Sequence, residues 1–286
     1  MDENDWAETL FVGDAYNVYL ERANDTLQMA GTIYHLFAAV DKHADDPTFT
    51  ANLDPRVADF IVEATQTQLA ADFESLHTMM VLTGWAQVEA LVSDICVAML
   101  RTDPALLSGP AFNNVKLPAS VVAMEDLNDR LDALIDIAFD SRYQYDANGK
   151  GKFEKQLEMV GLNGRVPDDL AKALVVVNAV RNAMAHNGGI ADRQFLGKVP
   201  EDLGYELGDK VALGKAATAQ YILALNTYTT IVTNRFRVQN GLPPVQCSQN
   251  SANVYAASFS ELFPDAIDPT TLSARAARGS RVAPGT

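Results

Sequence analysis

Apolar side chains recur every three or four residues along most of this chain, and alternating runs with turn dipeptides are nearly absent, so the pattern predicts an all-α protein. A first helical region covers residues 5–43, where Leu10, Phe11, Tyr16, Tyr19, Leu27, Ile33, Tyr34 and Phe37 supply the apolar positions and Gly13 and Gly31 are candidate breaks. Asp54-Pro55 reads as an N-cap with proline in the first turn. The pattern then continues through Phe60, Phe73, Leu76, Trp85, Val88, Leu91 and Ile95 to a stop at Asp103-Pro104, with Gly84 as the expected kink. Further helices are expected over 120–140, from Phe153 to Val160, from Asp168 to Gly188-Gly189, and over 215–239. Asp168 is the expected N-cap of the third of these.

These elements suggest a bundle of about four main helices over residues 54–240. A helical extension precedes it (1–53), and a poorly structured tail follows (241–286), carrying Arg275, Arg278 and Arg281. The stretch between Ala191 and Gly214 is irregular, with a small hairpin or extended loop expected at Tyr205–Leu213.

Composition narrows the picture. With 286 residues and 48% hydrophobic content the chain can bury a sizeable core. Its start is acidic, without the basic and apolar stretches of a secretory signal, and no uncharged apolar run approaches a membrane span, so a cytoplasmic location and no membrane partner are expected. The two cysteines, Cys96 and Cys247, lack partners at metal-ligand spacing, so neither a structural metal nor a cofactor is expected.

The formal charge of −15 argues at first against nucleic acid. The distribution of that charge points the other way. Residues 1–140 hold 24 acidic against 6 basic side chains, whereas residues 141–215 hold 10 against 11. Lys150, Lys152 and Arg193 in this second stretch are candidate RNA contacts.

The same stretch holds the candidate chemistry. On a wheel of about 100° per residue, Leu170, Ala173, Leu174, Val177, Val180 and Met184 form the apolar stripe of the third helix, and Arg181 falls inside it. Asn178, Asn182, Ala185 and His186 lie on a second face of small and polar residues. Arg181 and His186 are about 140° apart on the ideal wheel, so one helix is not expected to aim both at one atom, whereas two copies about a twofold axis could. Glu89 is the acidic candidate to pair with Arg181, and Asn178 and Asn187 are supporting polar groups. Glu74 and His77 have the Glu-x-x-His spacing of di-metal bundles without the required second motif, so His77 is expected in or near the core.

Arg181-Asn182, three residues, then His186 at the end of an apolar helix resembles the Arg-x4-6-His signature of the HEPN domain superfamily in its RN..AH form. The resemblance spans roughly residues 55–240 and includes the helix with Trp85, Val88, Glu89, Leu91 and Val92. It implies a helical bundle that dimerises through the motif helix and cleaves RNA without metal, in toxin–antitoxin, antiphage or RNA-processing systems where an antitoxin or other protein partner is common. Arg181 would hold the scissile phosphate, His186 would move the proton, and Asn182 would orient one of them. Nucleotidylated members carry tyrosine two residues after the histidine; here Gly188 stands there, so that regulation is not expected. The competing expectation is a non-catalytic interaction module whose Arg181 and His186 build the dimer core.

Overall fold

The computed structural model describes residues 3–46, 48, 51, 53–109, 112, 116, 118–143, 149–246, 254–255 and 262–263, with side chains left undescribed at 3–14, 127–128, 138–143 and 149–150. The Arg-rich tail, Cys247 and the side chain of Lys150 therefore lie outside the described residues. The fold is all-α. Among the described residues the helices are α1 (Glu3–His43), α2 (Pro55–Ala70), α3 (Glu74–Thr102), α4 (Ala119–Val122), α5 (Leu127–Tyr143), α6 (Gly149–Glu158), α7 (Asp168–His186), α8 (Arg193–Leu196) and α9 (Lys215–Gln239). Short 3-10 turns lie at Pro104–Ser108 and Glu201–Leu203.

Local chemistry accounts for several boundaries. Asp54 caps α2 by accepting the Arg56 N–H at 2.9 Å, with Pro55 in the first turn as the sequence predicts. Helix α1 runs unbroken through Gly13 and Gly31, since glycine in a helix interior costs only about 1 kcal/mol. The break between α2 and α3 falls at Asp72-Phe73 and not at Gly84, which is buried within α3. Asp72 (φ 45) and Phe73 (φ 56) both take left-handed backbone, and the corner is closed by Phe73 N–H to Gln68 C=O at 2.9 Å. No glycine marks this corner, and Asp72, of a type that tolerates left-handed backbone, is its only local signal. The expected 120–140 helix is two pieces, α4 and α5. Asp168 lies within the first turn of α7, because the Ala171 N–H already returns to the Pro167 carbonyl at 2.8 Å.

The chain forms two compact units that cut across its linear order. The first comprises residues 1–19, 88–178 and 223–286. Its core is built by Val88, Leu91, Val92 and Ile95 of α3, Phe153 and Leu157 of α6, Leu170, Leu174 and Val177 of α7, and Tyr228, Ile231 and Phe236 of α9, all buried. Phe153 stacks on Tyr228 with centroids 5.6 Å apart. A nearly buried polar group completes this unit: Glu154 accepts from the Tyr228 hydroxyl at 2.8 Å and from Arg235 Nη1 at 2.9 Å, while Arg235 Nη2 donates to the Arg165 carbonyl.

The second unit comprises residues 20–87 and 179–222. Phe73 sits at its centre with Ala30 and Leu76, flanked by Ile33, Tyr34, Phe37, Leu69 and Met80. His77 is buried there as expected, its Nδ1 bonded to the Leu213 carbonyl at 2.9 Å and its Nε2 to the Tyr34 hydroxyl. Glu74 is taken up by Lys210 at 2.8 Å.

Helix α3 is, against expectation, long and apolar enough by length and composition to cross a membrane. Its apolar residues Val81, Trp85, Val88, Val92 and Ile95 are buried within the protein, which accounts for that composition.

Candidate functional site

Helix α7 carries the RN..AH motif on its last turns. Asp168 and Asp169 in the first turn and His186 in the last complement the helix dipole. The helix ends because Gly188 (φ 61) and Gly189 (φ 75) turn the backbone into the left-handed region, and the Gly189 N–H returns to the Ala183 carbonyl at 2.9 Å. The following residues are pinned rather than loose: the Ala191 N–H donates to the Asp209 carbonyl at 2.8 Å, and the Val211 N–H donates to the Gly189 carbonyl at 2.7 Å. Of the small hairpin or extended loop expected at Tyr205–Leu213, the structure has the loop, tied by a single antiparallel bridge of Lys210 to Ile190.

The apolar stripe lies in the core, and the second face, whose small and polar residues suit close approach of another helix or a substrate, is covered along the earlier part of the helix. Leu170, Leu174, Val177 and Val180 are buried, and Arg181 beside them is only half-buried. Ala171, Val176, Asn178, Ala179 and Ala183 are buried too, so the face of small residues is covered up to Ala183. Only the end of the helix opens, with Asn182 partly exposed and Ala185, His186 and Asn187 more so. Asn178 lies in the packed part and does not share that surface.

At this open end one chain brings the three motif side chains together. Arg181 Nη1 donates to Asn182 Oδ1 at 2.9 Å and stands 3.5 Å from His186 Nε2. The expectation that a single helix would hold Arg181 and His186 apart is therefore corrected. Helical side chains lean toward the N-terminus, so the imidazole of His186 tilts back over the turn below, and the long arginine stem swings round to meet it. A contact of this length is at the weak limit of hydrogen bonding, with arginine the obligate donor.

The other expected residues sort differently. Glu89 accepts from Lys152 Nζ at 2.7 Å. Lys152, a candidate RNA contact, thus has its ammonium held by a carboxylate. Arg193 is exposed at the start of α8. Asn187 donates to Asp192 Oδ2 at 2.6 Å, and Asp192 Oδ1 caps α8 by accepting the Phe195 N–H at 2.7 Å.

That last pairing leads to a feature the motif does not announce. A shallow recess of about 230 Å³, counting its open mouth, lies beside the motif and is lined by Asn182, Asn187, Asp192, Gln194 and Lys198 over a floor of Ala179, Ala183 and Phe195. The signal available in sequence is Asp192 three residues before Phe195, an N-cap spacing that starts a short helix and so fixes where Gln194 and Lys198 fall. Comparison with protein-family models, curated proteins and solved structures returns no match.

Proposed function

We propose that this protein is a metal-independent endoribonuclease of the HEPN type, acting as a homodimer through the open end of α7. The observation that carries this reading is the meeting of Arg181, Asn182 and His186 at a solvent-exposed helix end. A guanidinium gives a phosphodiester a permanent, bidentate cation, and an imidazole gives it a proton acceptor; no metal is required for either.

An RNA phosphate arriving at Arg181 competes for the guanidinium, and the weak contact to His186 gives way. The freed Nε2 lone pair then accepts the proton of the ribose 2′-hydroxyl, whose oxygen attacks phosphorus. The P–O5′ bond breaks, leaving a 2′,3′-cyclic phosphate and a 5′-hydroxyl, with the leaving oxygen protonated by an imidazolium, most simply that of the second copy. Asn182 holds the guanidinium against the negative charge that grows on the phosphoryl oxygens. DNA, lacking the 2′-hydroxyl, is not cut. The setting that the motif's resemblance suggests is a toxin–antitoxin or antiphage system.

The test is incubation of the purified protein with total RNA in excess EDTA, beside Arg181→Ala and His186→Ala. Cleavage by the wild type alone, with all three proteins folded and dimeric, supports the reading. Equal cleavage by the variants, or none by the wild type, overturns it; loss of the dimer in the variants assigns the motif a structural role instead.

A further inference from the structure

Helix α2 has two apolar faces, and the core uses one of them. Ala58 and Thr65 are buried on the inward side, with Val62 and Leu69 partly buried beside them. About a third of a turn round the same helix, Val57, Phe60, Ile61 and Ala64 form a second stripe at helical spacing. Val57 is 47% exposed there, and Phe60, at 70%, is the most exposed large apolar side chain among the described residues. Single apolar residues in water are ordinary, but a stripe of this width is a face suited to another helix.

The charges bordering the stripe select what covers it. Arg56 and Glu63 are exposed on one flank, seven residues apart and therefore only about 20° apart in projection. With Val57 and Ala64 as successive a positions of a heptad, Arg56 and Glu63 are successive g positions. In an antiparallel pair of identical helices about a twofold axis, like flanks meet in opposite directions. An axis at the level of Phe60 then sets Arg56 of one copy against Glu63 of the other, and the symmetry repeats that contact at the far end. The apolar residues follow the same centre: Val57 meets Ala64 of the second copy, and Phe60 meets Phe60 and Ile61 across the axis. A parallel pair would set Arg56 and Glu63 against Ile61 and Gln68, leaving both charges unmatched.

We propose that this face of α2 binds a second copy of the chain, antiparallel, with two Arg56–Glu63 ion pairs flanking the Phe60 rings. One helix pair is a small interface, so the association depends on concentration. It is separate from the dimer contact of the proposed nuclease, which uses the open end of α7, and copies joined through both faces exceed a dimer.

The experiment is sedimentation velocity of the full chain over a range of concentrations, with helix content checked by circular dichroism. The variants are Phe60→Glu, Arg56→Glu, Glu63→Arg and the double reversal Arg56→Glu/Glu63→Arg. Phe60→Glu is expected to remove one association step and to leave any contact through α7 in place. Each single reversal sets like charges together twice per pair, and should weaken that step about tenfold or more. The double reversal should restore it. An equal mixture of Arg56→Glu and Glu63→Arg should restore it as well, because each variant offers the charge that the other needs; such recovery ties the effect to this pairing and not to net charge. Association unchanged in Phe60→Glu, or recovered neither by the double reversal nor by the mixture, overturns the proposal. A wild-type chain with no association step sensitive to Phe60 overturns it too, and leaves the stripe to an occupant other than a second copy. RNA cleavage plays no part in this readout, so loss of the nuclease reading leaves the result standing.

Discussion

The guanidinium of Arg181 and the imidazole of His186 stand 3.5 Å apart on one helix, although they leave its axis in directions about 140° apart. Asn182 fixes the arginine end of this contact at 2.9 Å. The contact is intramolecular, so half of the proposed phosphodiester-cleaving site is assembled before any second copy arrives.

Replacing Arg181 by lysine keeps the charge and loses the planar fork. RNA cleavage in EDTA is expected to fall about 10²–10³-fold, with helix content unchanged by circular dichroism. Activity close to wild type would show that a point charge suffices and that the Asn182 bond is incidental.

His186→Gln retains a hydrogen-bonding group near Arg181 but cannot shuttle a proton. A loss of about 10²–10⁴-fold in single-turnover cleavage is expected, while binding of uncleavable 2′-deoxy substrate persists. Loss of binding together with turnover would move His186 from chemistry to recognition.

Glu154 ties together Tyr228 and Arg235 in the first unit, and the ion pair is only 13% and 17% exposed on its two sides. Glu154→Ala leaves a partly buried guanidinium and a buried phenol without their acceptor, at a cost of about 3 kcal/mol by urea unfolding. Gly164→Ala acts on the same group from outside, since a Cβ there would lie 3.2 Å from Arg235 Nε; a smaller destabilisation is expected.

Burial pushes the Tyr19 phenol up to about 12, and its hydroxyl donates to Asn226. The folded pKa lies above the unfolded value near 10, so this contribution is complete below about pH 10 and is lost as pH rises from there through about 12. Stability should therefore drop by about 2–3 kcal/mol across that window, and Tyr19→Phe should flatten part of the drop in pH-dependent thermal melts. An unchanged slope in the variant would assign the alkaline loss to Tyr228, whose phenol is also raised well above its usual value, first by burial and then by Glu154.

Phe73 holds a left-handed backbone (φ 56) while its ring packs edge-on against Tyr34, centroids 4.3 Å apart. Phe73→Ala should cost about 3–5 kcal/mol in chemical unfolding. A cost under about 1 kcal/mol would mean that the corner between α2 and α3 does not organise the second unit.

Long periodic segments are legible in the sequence, and α9, the Asp54-capped start of α2 and the glycine-terminated end of α7 lie where periodicity and capping residues put them. The corner at Asp72-Phe73 is not, because aspartate, though it tolerates left-handed backbone, is common elsewhere in the chain, and a bulky phenylalanine disfavours that conformation until tertiary packing overrides it. The face of small and polar residues on α7 suits either another helix or a substrate, and only the fold decides that Ala171 and Asn178 are covered while Ala185 and His186 stay exposed. Identifying Arg181, Asn182 and His186 needs only their types and spacing. Their convergence is a three-dimensional property, because it depends on the lean of His186 and the reach of Arg181, which a wheel projected along the axis cannot represent.

Buried His77 joins Tyr34, 43 residues earlier, to the carbonyl of Leu213, 136 residues later. During synthesis the helices of residues 20–87 therefore leave the ribosome well before the length of chain that completes their packing. Until residue 213 emerges, the surroundings of His77 stay open and the apolar side chains near it stay wet, so the growing protein passes through an interval in which it needs shielding.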